Sequence, residues 1–190
     1  MSVHPLALSQ GVETRLRELG PTLQSDEFLL LPSAQRGDEE WYPRDDIFAL
    51  TDARAFGLRA KFLVPDEDRR FLSEFSAVLL IGFGIAVGAQ LTGDVILRLV
   101  DYARGRARRA AERDGRQLDD PDLRLRVQVT RVRPGQGGPQ LDSFEIEGPV
   151  DGALGALHDV LESGLADDSA TPALPIPPAH EDGTVGSEDP

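Results

Sequence analysis

The sequence predicts a small α/β (α+β) domain, mostly helical, with short strands, a C-terminal antiparallel hairpin and a disordered acidic tail. Apolar residues recur at helical spacing in several stretches, and two segments nearer the C-terminus alternate apolar and polar as half-exposed strands do. From Leu165 onward, Ala, Pro, Ser, Asp and Glu dominate, a composition that buries too little apolar surface to offset the entropy of ordering. A chain of 190 residues then divides into one domain, 1–164, and a tail, 165–190.

The elements follow in order. Leu8, Val12, Leu16 and Leu19 share a helix face, and Gly20 and Pro21 stop it. Glu27 to Leu31 is a compact apolar run closed by Pro32, which reads as a buried strand, and Ser33 to Asp46 reads as a polar loop. Asp46 is placed as the N-cap of a helix ending at Gly57, and Leu58 to Val64 as a strand ended by Pro65. Asp66 is placed as the cap of a further short helix.

Past that point, Val95 to Ala103 is amphipathic and grows rich in Arg and Ala up to Gly115. Leu123, Leu125, Val127 and Val129 alternate with Arg124, Arg126 and Gln128, the clearest strand signal in the chain. A Pro/Gly-rich loop separates it from Ser143 to Glu147, with Phe144 and Ile146 facing inward, so the two form a hairpin. Asp151 opens a helix with Leu154, Leu157 and Leu161 in one stripe, and Gly164 ends it.

The pivotal segment is Phe75 to Gly93, without a single charge between Glu74 and Asp94. The adopted reading is a buried, small-residue helix that continues into the Arg-rich stretch, spanning 75–113. Its glycines cost helix propensity but let neighbours approach closely. The second reading is a membrane span with a cytoplasmic C-terminal α/β module. Its length reaches the lower part of the needed range, Gly84, Gly88 and Thr92 make a small-residue step, and Arg104, Arg106, Arg108 and Arg109 follow on one side. The third is a dinucleotide site in which Gly82, Gly84 and Gly88 follow an apolar strand and let backbone approach a pyrophosphate.

Charge and composition narrow the function classes. There is no Cys, so thiol nucleophiles, disulfides and thiolate metal sites are absent. Formal net charge is −13, and the basic residues between Arg98 and Arg133 are interleaved with acids and nearly lack aromatic partners, which argues against a nucleic-acid partner. A solvated helix and strand face is the expected role of that Arg cluster. His4 and His180 fall in mobile ends, His158 flanks an apolar stripe, and their spacing suggests neither metal nor general base. The opening residues lack a basic start and a continuous apolar run, so no secretory signal is read there.

No catalytic residue, metal site or cofactor is assigned. The expected function is a cytoplasmic, non-enzymatic interaction or accessory module, binding a protein partner or a second copy. Its interaction residues are taken as Gly84, Gly88 and Thr92 of the glycine-rich segment, with Trp41 and Tyr42 as a recognition element in the acidic loop. Membrane association is the alternative localisation, and a dinucleotide-binding enzyme is the less favoured alternative class.

Overall fold

The computed structural model describes residues 1–36, 39–72 and 80–168. In chain order its elements are β1 (Ser2–Pro5), α1 (Gln10–Leu19), β2 (Glu27–Leu31), β3 (Ala34–Arg36), β4 (Glu39–Tyr42), α2 (Ala49–Ala55), β5 (Arg59–Phe62), β6 (Arg70–Phe71), β7 (Leu80–Val87), α3 (Gly93–Arg113), β8 (Arg124–Arg133), β9 (Gln140–Pro149) and α4 (Val150–Asp168). Single 3-10 turns occupy Gly20–Thr22, Arg44–Phe48 and Asp66–Asp68. Among the described residues the strands form a mixed six-stranded sheet, β1-β9-β8-β7-β2-β5, and a small one, β3-β4-β6. The fold is α+β, as the sequence predicts.

The largest correction falls on the charge-free segment. Residues 75–79 lie outside the described residues, Leu80–Val87 is a strand, and the helix begins only at Gly93. The continuous helix over 75–113 is therefore not formed. Its apolar content misled because the segment alternates by size: Ile81, Phe83, Ile85 and Val87 share one face of β7, while Gly82, Gly84 and Ala86 share the other. Period two, β-branched side chains and two glycines favour strand over helix. Among the described residues, no helix is long and apolar enough to cross a membrane.

Two strand-helix-strand units meet at the middle of the sheet. β2 and β5 are parallel neighbours, β7 and β8 are parallel neighbours, and β2 pairs with β7 antiparallel. Parallel neighbours need a crossover, and crossovers are right-handed almost without exception. Two such units related by an antiparallel pair put both crossover helices on one face of the sheet. The core agrees: Ala49 and Ala53 of α2 and Val95, Ile96 and Leu99 of α3 share a cluster with Phe28, Phe83 and Val127 of the strands and Leu154, Leu157 and Leu161 of α4. Val12 and Leu16 of α1 pack on the opposite face with Leu23, Leu29, Leu31, Ala86 and Val132. β2 is consequently buried on both sides, which explains its unbroken apolar run.

Smaller departures have local causes. The predicted polar loop at 33–46 contains β3 and β4, and the helix expected from Asp46 is split into a 3-10 turn and the shorter α2. The expected helix after Asp66 is only a turn followed by β6. His4 sits in β1, paired opposite Glu145 of β9, and not in a mobile end. The terminal helix runs on past Gly164 to Asp168; the remaining predicted tail and His180 lie outside the described residues.

The Arg-rich side of α3 is largely solvated, as expected, with Arg104, Arg108 and Arg109 exposed, but Arg106 is buried. Arg106, Arg109 and Arg113, spaced along one side of the helix, pair with Asp46, Asp52 and Asp45, so the segment 44–55 is clamped to α3. The Arg106 to Asp46 pair is buried. Arg106 also lies 4.7 Å over the ring of Phe83 and donates to the Tyr102 hydroxyl at 3.3 Å. Burial pushes the Asp46 carboxyl above the ordinary carboxylate range, and the Arg106 cation opposes that shift. At the sheet edge, Glu27 is buried and held below the ordinary range first by the Gln24 N–H, then by Lys61 and Arg59.

Arg106→Met should lower unfolding free energy by about 3–5 kcal/mol, because Asp46 is left buried and alone, whereas Arg106→Met with Asp46→Leu should recover most of it. Urea denaturation checks both; equal losses in single and double variants would contradict the pairing. A second outcome concerns pH. Glu27 has a folded pKa lowered from an unfolded value of about 4.3, so its contribution is present above that value and vanishes as pH falls through the folded pKa. The stability gap between wild type and Glu27→Gln should therefore be widest near neutrality and close on acidification.

Candidate interaction groove on the open sheet face

The two faces of the six-stranded sheet differ sharply in cover. Among the described residues, α2, α3 and α4 pack on one face, while the other has only the ten-residue α1, whose buried contacts fall on β2, β7 and the C-terminal part of β8. Register fixes what is left open. Arg126 pairs opposite Glu147 and Gln128 opposite Glu145, and on β7 their neighbours are Gly82 and Gly84. Arg126 donates to Glu147 Oε2 from Nε and Nη2 at 2.9 and 2.7 Å, and Gln128 donates to Glu145 at 3.3 Å. Arg124 also pairs with Glu147, so the open surface is a self-neutralised polar ladder beside a stripe of glycine.

A cavity of about 140 Å³ opens where the ladder meets α1. Its walls are the chain from Leu6 to Ser9 that links β1 to α1, Val12 of α1, the turn from Pro32 to Ala34, Glu40 of β4, and Leu31 and Gln128 from the sheet. Local sequence builds each wall. Leu6 stays tied to β9 through its N–H to the Ser143 carbonyl, and Ser9 turns the chain into α1 as N-cap, its Oγ accepting from the Val12 N–H at 3.2 Å. The same hydroxyl donates to Glu40 Oε1, which brings that carboxylate to the positive end of α1. Pro32 ends β2, and the Ser33 N–H to Trp41 carbonyl bond holds the turn against β4.

The predicted interaction residues are dispersed by this geometry. Gly84 lies beside the cavity: a Cβ there would be 2.8 Å from Leu31 Cβ and 3.6 Å from Gln128 Oε1, both lining residues. Gly82 faces open space on the same stripe. Gly88 packs instead against Leu23 at the start of the turn to α3, and Thr92 caps α3, accepting from the Val95 N–H. Gly84, Gly88 and Thr92 therefore form no helix face, because a strand and a turn intervene. Trp41 is half-buried in β4, adjacent to Glu40 and opposite Ala34. Tyr42 is fully buried; its hydroxyl donates to the Leu30 carbonyl and accepts from the Val64 N–H, stitching β4 to the large sheet.

The dinucleotide arrangement is also displaced. Gly82 and Gly84 lie inside β7 and not in its turn to α3, and the first turn of α3 carries the Asp94 carboxylate, paired with Arg98, where a phosphate would approach. The Arg cluster is engaged within the molecule: besides the clamp on α3, Arg131 reaches the Val160 carbonyl and Ser163 of α4, and Arg133 pairs with Asp142. Sequence reasoning missed Ser9, Glu40 and Gln128 as a group, since they come from three distant segments. The one local signal was Ser9 before an apolar helical stretch, which marks a cap and nothing more. No protein-family model, curated protein or solved structure matches this chain.

The two strand glycines should respond oppositely to a methyl group. Gly84→Ala drives Cβ into Leu31 and should destabilise by about 1–3 kcal/mol. Gly82→Ala meets nothing and should be neutral or stabilising by up to about 1 kcal/mol, through a less flexible unfolded chain. Chemical denaturation of the pair reads the difference, and equal effects would count against the close Leu31 contact.

Proposed function

We propose that this protein is a non-enzymatic interaction or accessory module that seats a protein partner in the groove beside Gly84. The observation that carries this reading is the chemistry of the lining: aliphatic walls from Leu6, Leu8, Val12 and Leu31, with a few uncharged polar groups and one carboxylate. Such a lining holds and orients a ligand. The hydroxyl in it, Ser9, is committed as a helix cap and as a donor to Glu40, and a carboxylate partner is far weaker than an imidazole as a base for activating an alcohol.

Ala7 lines the groove from its exposed rim, so Ala7→Phe should fill it without disturbing the core. On an immobilised array of unrelated peptides, the labelled wild-type chain should retain a defined subset, and Ala7→Phe should lose that subset while keeping its melting temperature. Retention of the same peptides by both proteins, or of none by the wild type, would refute the groove as the interaction site.

A further inference from the structure

We infer that the groove accepts an alkylammonium group on an aliphatic stem, supplied as a lysine side chain of the partner protein. This rests on the groove being the interaction site proposed above. Size comes first. A cavity of about 140 Å³ is well below the roughly 300–1,000 Å³ of sites that enclose drug-sized ligands, and suits one long side chain. Leu6, Leu8, Val12 and Leu31 offer the apolar contact that a methylene stem takes while its head stays polar.

Charge comes next. Among the described residues, Glu40 is the only ionisable group in the lining. On the same sheet face Glu27 is matched by Arg59 and Lys61, and Glu145 and Glu147 by Arg124 and Arg126. No Lys or Arg among the described residues pairs with Glu40. Its Oε1 accepts from Ser9, which fixes the carboxylate at the rim and leaves Oε2 for a ligand. A half-buried carboxylate beside apolar walls attracts a cation more strongly than one in open solvent. With one oxygen already engaged, the other can receive the compact ammonium of lysine as a point charge at the end of its aliphatic stem.

The sole Trp stands next to Glu40 and provides the readout. Fluorescence titration would use capped five-residue alanine peptides carrying lysine, arginine or norleucine at the centre, and free n-butylamine. The lysine peptide should bind best and weaken with added salt. Binding should fall about tenfold with norleucine, and about tenfold with Glu40→Gln, whose amide oxygen still accepts from Ser9 and whose melting temperature serves as the folding control. Equal binding of lysine and norleucine peptides, or an unaffected Glu40→Gln, overturns the cation inference; if Ala7→Phe still abolishes that binding, the groove itself stands. n-Butylamine binding as tightly as the peptide overturns the assignment to a partner side chain. Absence of binding by every probe overturns the inference, while the peptide array separately decides the groove.

Discussion

The architecture depends on the size alternation of β7. Ile81, Phe83, Ile85 and Val87 fill the layer beneath α2, α3 and α4, while Gly82, Gly84 and Ala86 leave the opposite side almost flat. That flatness lets Leu31 lie against Gly84, closer than any side chain at Gly84 would allow. β2 can therefore pair with β7 and still bury both its faces. Because β2 and β7 are the strands through which the two crossover units meet, a bulky residue at this point would disturb the centre of the sheet and not merely its surface.

Electrostatics organises the periphery of the same design. Arg106, Arg109 and Arg113 recur at roughly helical spacing, so they share a side of α3 and face the acids of the 44–55 segment together. The exposed members contribute little individually, as solvent screens them. Arg106 differs because it is buried, stacked over Phe83 and bonded to Tyr102, so it fixes the register between α3 and the turn carrying Asp46. One member of a cluster that reads in sequence as a solvated face, Arg106, is therefore an internal fastening. It leaves the exposed side chains Ile47 and Phe48 on a turn held rigid from beneath.

Sequence patterns revealed what depended on local periodicity. β2 coincides with its predicted bounds, and the alternation at Leu123 to Val129 identified the inner face of β8, although the strands of the hairpin extend further than predicted. The failures share one physical origin. In β7 the alternation was between large and small apolar residues, so a hydropathy reading averaged it away. β3 and β4 were concealed by charged and polar residues, since their pairing is stabilised by Tyr42 reaching into a different sheet. The groove was invisible for a related reason: Ser9, Leu31, Glu40 and Gln128 are joined only by sheet register and by the Ser9 to Glu40 bond.

The groove itself follows from a mismatch of dimensions. At about 1.5 Å per residue, the ten-residue α1 spans roughly 15 Å, while six strands at about 4.8 Å spacing make a sheet roughly 24 Å across. One short helix cannot cover that face. The part it leaves open must be polar or paired, which accounts for the Arg126, Gln128, Glu145 and Glu147 ladder, and the boundary between covered and open areas must mix aliphatic walls with polar rims. Ser9 sits on that boundary because the first turn of α1 needs an acceptor for a free N–H group, and its hydroxyl donates in turn to Glu40. The hydroxyl that caps the helix also holds a carboxylate at the mouth of the apolar recess.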